Sequence, residues 1–107
     1  MTKEFTCVIT KGPKGFSMSL GNEGAGTYVV KAKKGGAGAD ALSRAGLDVT
    51  EGLRFRSING DDVYDKTRKD TIRMIKEAGD TLHCVFTKEP SGYPAVLEAY
   101  NNKLVAK

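Results

Sequence analysis

"KGPKGFSMSL", Lys11 to Leu20, sets a rigid turn directly against an apolar alternation. Pro13 fixes one backbone angle, and Gly12 and Gly15 open the left-handed region that other residues avoid. Phe16, Met18 and Leu20 then alternate with Ser17 and Ser19, as the two faces of a strand do. The stretch holds no acid, histidine or cysteine. What it offers a partner is shape, or its own backbone.

Its surroundings read as a small mixed domain. Before it, "FTCVITK" (5–11) alternates Phe5, Cys7 and Ile9 against Thr6, Val8 and Thr10, the pattern of a strand with one buried face. After it, "FSMSLG" (16–21) predicts a second strand, "NEGAG" (22–26) a turn and "TYVVKAK" (27–33) a third strand. "KGGAGAD" (34–40) predicts a flexible loop that ends at Asp40, the N-cap of a short helix closed by Gly46. "LRFRSING" (53–60) predicts a strand with Leu53, Phe55 and Ser57 on one face and Arg54, Arg56 and Ile58 on the other, turned by Asn59-Gly60. "DVYD" (62–65) has room for a very short strand, "KTRKDTIRMIKEAGD" (66–80) predicts the one long helix, and "TLHCVFTK" (81–88) the last strand. The expectation is an α+β fold: a small curled antiparallel sheet, or partly open barrel, of about six strands closed by two α-helices. Residues 1–88 form this domain, and 89–107 a C-terminal extension with helical periodicity at Val96, Leu97, Tyr100 and Leu104. That extension reads equally as a helix packed on the domain, a linker or a second binding element.

The totals narrow the function. The chain has 107 residues, 39% hydrophobic and 28% charged, which is one domain with one core. No apolar run approaches the ~20 residues that span a bilayer, and the N-terminus lacks the pattern of a signal peptide. The expectation is a cytoplasmic protein, brought to membranes by its partners. A net charge of +4 is mild. A nucleic-acid binder would show a stronger basic stripe with interleaved aromatics, so nucleic acid is not expected as a partner. Lys31, Lys33 and Lys34 form one basic cluster, Lys11 and Lys14 another; each reads as a solvated face or as a contact for anionic lipid or an acidic partner.

No catalytic constellation stands out, and neither a metal nor a cofactor is expected. "GAGADA" (36–41) satisfies the G-x-G-x-x-A spacing of a dinucleotide cradle, but only about six helical residues follow it and no parallel strand unit fits in the remainder. A mobile surface loop is the expected reading. His83 and Cys84 are neighbours on a strand, so their side chains point to opposite faces and make no dyad. Cys7 and Cys84 lie in apolar runs outside any CxxC and read as reduced core thiols.

The long helix connects with the opening loop. At about 100° per residue, Arg68, Ile72 and Ile75 fall along one edge, with Thr71, Met74 and Ala78 on a neighbouring face. The wide arc reads either as a broad core face with an exposed arginine, or as a core face whose edge, Ile72 and Ile75, borders a groove with Arg68 at its far end. If the second strand is a sheet edge beside this helix, its outward main-chain groups are unpaired and a peptide can add there as a further strand. The glycine loop then offers consecutive N–H groups to a terminal carboxylate.

With these pieces in order the chain resembles a PDZ domain over roughly residues 5–88. The family's carboxylate-binding loop is a basic residue, a short loop and G-Φ-G-Φ. It is matched by Lys11 followed by "GPKGFSM", with Gly15, Phe16, Ser17 and Met18 at the four positions. "GADALSRAGLDVTEG", "EGLRFRSING", "TRKDTIRMIKEAG" and "DTLHCVF" resemble its first helix, central strand, second helix and closing strand. The resemblance implies an adaptor that binds the extreme C-termini of partner proteins by strand addition, and no catalysis. Carried over, Phe16, Ser17 and Met18 amides hold the carboxylate, with Lys11 assisting through water. Phe16, Met18, Leu20 and Ile75 line the pocket for the last side chain, Ile72 and Arg68 face the residue two before it, and Ser19 reaches the ligand's other side. The sequence departs from the family at Ser17 (usually glycine), Met18 (usually Phe) and Arg68 (often histidine). Ser17 implies a stiffer loop or ordinary dihedrals, Met18 a softer pocket. Arg68 implies Asp or Glu, as well as Ser or Thr, two before the ligand's end. A lipid-surface module built on the Lys31–Lys34 face is the second reading.

Overall fold

The structure, a computed structural model, describes residues 3–13, 15–22 and 26–105. Lys14 and most of the expected 22–26 turn lie outside that set. Strand β1 (Glu4–Thr10) buries Cys7 and Ile9 and half-buries Phe5, while the intervening side chains face solvent. It pairs antiparallel with β6 (Thr81–Lys88), which pairs in turn with β4 (Leu53–Ile58). β3 (Tyr28–Ala32) follows, then β2 (Met18–Gly21), and the two-residue β5 (Asp61–Asp62) hangs on β4. The result is an open antiparallel sheet in the order β1-β6-β4-β3-β2, not a closed barrel, with β2 an edge strand. Phe55 and Phe86 meet at 4.7 Å between ring centroids, with Ile9, Val29, Leu53, Ile58 and Leu82 around them in one core.

Three expectations are corrected. β2 begins at Met18, because Ser17 takes φ 57, a left-handed angle that no strand residue adopts. In β4 the register shifts between Phe55 and Ser57, so the alternation changes face and Ile58, not Ser57, joins Leu53 and Phe55 in the core. Helix α1 spans Ala37–Arg44, so 37–40 is helix, not a loop, and the N-cap is Gly36, not Asp40. Gly38 explains the early start. A Cβ there would run into the Met18 side chain and the Phe16 carbonyl, so only glycine lets the first turn of α1 lie against the start of β2. Gly46 closes the helix with φ 72 and Leu47 N–H bonds back to Leu42 O at 2.8 Å.

Helix α2 (Arg68–Glu77) is capped by the Thr67 hydroxyl, which accepts the Asp70 N–H at 3.1 Å. Thr71 is fully buried and satisfied twice: its hydroxyl donates to Thr67 O at 3.0 Å and accepts from Thr27 Oγ1 at 3.2 Å. That pair pins α2 to the chain entering β3. Helix α3 (Tyr93–Val105) packs Val96, Leu97 and Tyr100 on Tyr28 and Val30, the face of β3 turned away from the core. The joint before it is held by Arg54, which stacks on the Tyr64 ring at 3.6 Å and pairs with Glu89 at 3.2 Å; Tyr64 and Thr87 hydroxyls also donate to Glu89. Among the described residues no helix is long and apolar enough to cross a membrane.

Candidate functional site

The loop before β2 is built by its own backbone. Gly12 and Gly15 exchange hydrogen bonds of 3.0 and 3.1 Å, and Gly15 (φ 79) and Ser17 (φ 57) both take left-handed angles. Ser17 thus keeps the geometry that glycine would supply, and the ordinary dihedrals expected of a serine there are not what the chain adopts. Phe16 O accepts the Gly38 N–H at 2.8 Å, and Ser17 O accepts the Lys33 N–H at 2.9 Å. A trans peptide points each N–H opposite the preceding carbonyl. The N–H groups of Ser17 and Met18 therefore turn away from α1 and from β3, and away from β3 is the side of the unpaired β2 edge.

Along that edge, between β2 and α2, runs a cleft of about 420 Å³. Lys11, Phe16, Ser17, Met18, Ser19, Leu20, Arg68, Ile72 and Ile75 all line it; Gly15 does not, and acts only as a turn residue. Leu20 and Ile75 form its buried floor, with Phe16, Met18 and Ile72 half-buried around them. Lys11 stands at the loop end, its main-chain N–H bonded to Asp80 O at 2.6 Å. Arg68 stands at the other end and crosses the cleft: its Nε donates to Leu20 O at 2.7 Å. Among the described residues the lining carries three cations, Lys11, Arg68 and Lys76, and no carboxylate.

No family model matches the sequence, and no curated protein matches it either. Solved structures do. The PDZ domain of choanoflagellate SHANK1, bound to a GIRK3 peptide, superposes with a TM-score of 0.68 at 26% identity over 85% of this chain and 98% of that one. The PDZ domain of choanoflagellate GIPC gives a TM-score of 0.68 at 20% identity, over 81% of this chain and 91% of that one. The same GIPC domain bound to a B1AR peptide gives 0.65 at 22% identity, again over 81% and 91%. This chain has the PDZ fold.

The PDZ frame makes its own features visible. Lys31, Lys33 and Lys34 are exposed and border a shallow recess with Ser17, Met18 and Ser19, on the side of β2 away from α2. The three lysines thus stand beside β2, next to the cleft but outside its lining. Lys76, Gly79 and Tyr100 line the cleft and were not expected. Lys76 was legible, since it lies one turn beyond Ile72 on the edge already assigned. Tyr100 was not: it reaches the cleft because Gly21, whose Cβ would sit 3.2 Å from Val96 and 3.6 Å from Tyr100, lets α3 close on the end of β2.

The sequence's other suggestions do not assemble into a site. His83 is exposed and pairs with Val8, while Cys84 is buried opposite Cys7 in the register of β1 and β6. Both cysteines are free thiols; burial, and then the neighbouring Cys7, push the Cys84 thiol up to about 12. A thiol so protonated is no nucleophile. Among the described residues no cluster of His, Cys, Asp and Glu is arranged to hold a metal.

Proposed function

We propose that the cleft binds the extreme C-terminus of partner proteins as an added antiparallel strand on β2. The observation that carries this is the unpaired β2 edge facing α2, with left-handed Gly15 and Ser17 turning the loop amides toward its end. The amides of Phe16, Ser17 and Met18 receive the terminal carboxylate, with Lys11 and Lys76 adding positive charge. Phe16, Met18, Leu20 and Ile75 take an apolar last side chain, whose burial contributes ~1.5–3 kcal/mol. Arg68 and Ile72 meet the residue two before it, and Ser19 the opposite side of the ligand. After ordering costs the affinity is on the order of micromolar. Solved PDZ relatives carry peptides, which supports a peptide in this cleft. Residues 1–88 form the binding unit and 89–107 its C-terminal extension, whose helix α3 (Tyr93–Val105) buttresses β2.

A fluorescence titration with short peptides ending in Leu, Ile, Val or Phe, made as free acids and as C-terminal amides, tests the reading. Free acids bind and amides do not, because backbone N–H donors suit a carboxylate and leave a neutral amide mismatched. Equal binding of the two forms, or none, contradicts it. Vesicle binding without peptide would instead point to the lysines beside β2.

A further inference from the structure

The bond between Arg68 Nε and Leu20 O occupies an acceptor on the very edge where a ligand strand would add. In an antiparallel pair, a last residue beside Met18 places the residue two before it beside Leu20. That residue's main-chain N–H needs the Leu20 carbonyl, so Arg68 must leave before it can pair. A released guanidinium needs a new partner, or the exchange loses a charge-assisted bond. Among the described residues that line the cleft there is no carboxylate to receive it. The ligand can supply that partner, as an anion at that same residue.

We propose that this anion is a phosphate: the cleft selects C-termini whose serine or threonine two before the end is phosphorylated, with Arg68 as the residue that reads it. The inference rests on the reading of the cleft as a C-terminal peptide site. A terminal carboxylate balances one of the three lining cations, Lys11, Arg68 and Lys76, and a phosphate brings nearly two further charges. It also presents three acceptor oxygens to the planar guanidinium fork, where an unmodified hydroxyl offers a single weak partner. On binding, Arg68 passes from the Leu20 carbonyl to the phosphate, and the ligand's main-chain N–H takes the vacated carbonyl. An unmodified terminus opens the same bond with little in return.

The full chain is titrated with one free-acid peptide ending in Leu, carrying threonine, phosphothreonine or glutamate two before the end, each also made as an amide. The phosphopeptide is expected to bind about tenfold tighter than the threonine peptide at pH 7.5. Its advantage narrows toward pH 5.5, as the phosphate takes up its second proton near pH 6, while the glutamate peptide shows no such step. Arg68→Gln abolishes the preference, and Arg68→Lys, which keeps charge without the fork, restores it only in part. If free acids bind, amides do not, and the phosphopeptide is no tighter than the threonine peptide, the inference falls and the C-terminal reading stands. A phosphopeptide preference that survives in Arg68→Gln overturns it too. If free acids and amides bind alike or not at all, the reading of the cleft fails, and this inference with it.

Discussion

Ser17 holds the loop geometry at a cost. Its φ of 57 places a side chain in a region that penalises any residue with a Cβ by about 1–2 kcal/mol. Ser17→Gly is therefore expected to raise unfolding stability by about 0.5–1 kcal/mol and leave the loop's conformation unchanged. Ser17→Val, branched at a position that tolerates branching worst, is expected to lower stability and weaken peptide binding together. Chemical denaturation of the two variants checks this, and a valine variant as stable as the parent would contradict the left-handed assignment. The loop's sequence made the turn legible but not this angle, because serine has no intrinsic preference for it. The angle is imposed from outside, by the bonds from Gly38 to Phe16 and from Lys33 to Ser17. Arg68 is similar. Its place on the helix edge was legible from spacing, whereas its bond across the cleft depends on how closely β2 and α2 stand.

At the level of elements, alternation and end signals located the strands, and the misreadings share a cause. Gly36 and Gly38 lower helix propensity, so 34–40 reads as loop; the contact of Gly38 with β2 outweighs that propensity once the chain is folded. The β4 bulge moves Ile58 inward because the core has a place for it, which alternation alone cannot register. Helix α3 shows the same limit, since its periodicity was visible but the β2–β3 surface it covers was not. Val96 is the anchor of that contact, 2% exposed between Tyr28 and Val30. Val96→Ala is expected to cost about 2 kcal/mol in a denaturant titration. It is also expected to loosen Tyr100 and so alter peptide affinity, although Val96 does not line the cleft. An unchanged unfolding midpoint would mean that α3 does not dock as described.

For the whole molecule, the groups that titrate abnormally bracket a plateau of stability. Burial alone would raise the Glu89 carboxyl, but hydrogen bonds from Thr87 and Tyr64 and the Arg54 guanidinium hold it below the usual range. Asp48, bonded by the Thr50 amide and hydroxyl, and Asp62, bonded to Arg56, are also held low. Such groups stabilise the fold above the ordinary carboxylate pKa near ~4, and the contribution fades as pH falls through the depressed folded values. Cys84 acts in the opposite sense. Its thiol is raised from 9.0 to about 12 by burial and by Cys7, so its contribution is complete below about pH 9 and is lost as pH climbs toward 12. Unfolding free energy against pH is expected to be flat from about pH 5 to about 9 and to fall on both sides. A profile still rising above pH 9 would contradict the buried, protonated thiol.

The same whole-molecule view holds the central claim: an open sheet leaves β2 as an edge, and the loop before it turns main-chain N–H groups to the end of that edge. The most direct measurement is the amide proton shift of Phe16, Ser17, Met18 and Leu20 during titration with a free-acid peptide ending in Leu, beside its C-terminal amide. The account predicts saturable downfield shifts at these four residues with the acid and none with the amide. Shifts confined to Lys31–Lys34 or to α3, or shifts alike for both peptides, would contradict it.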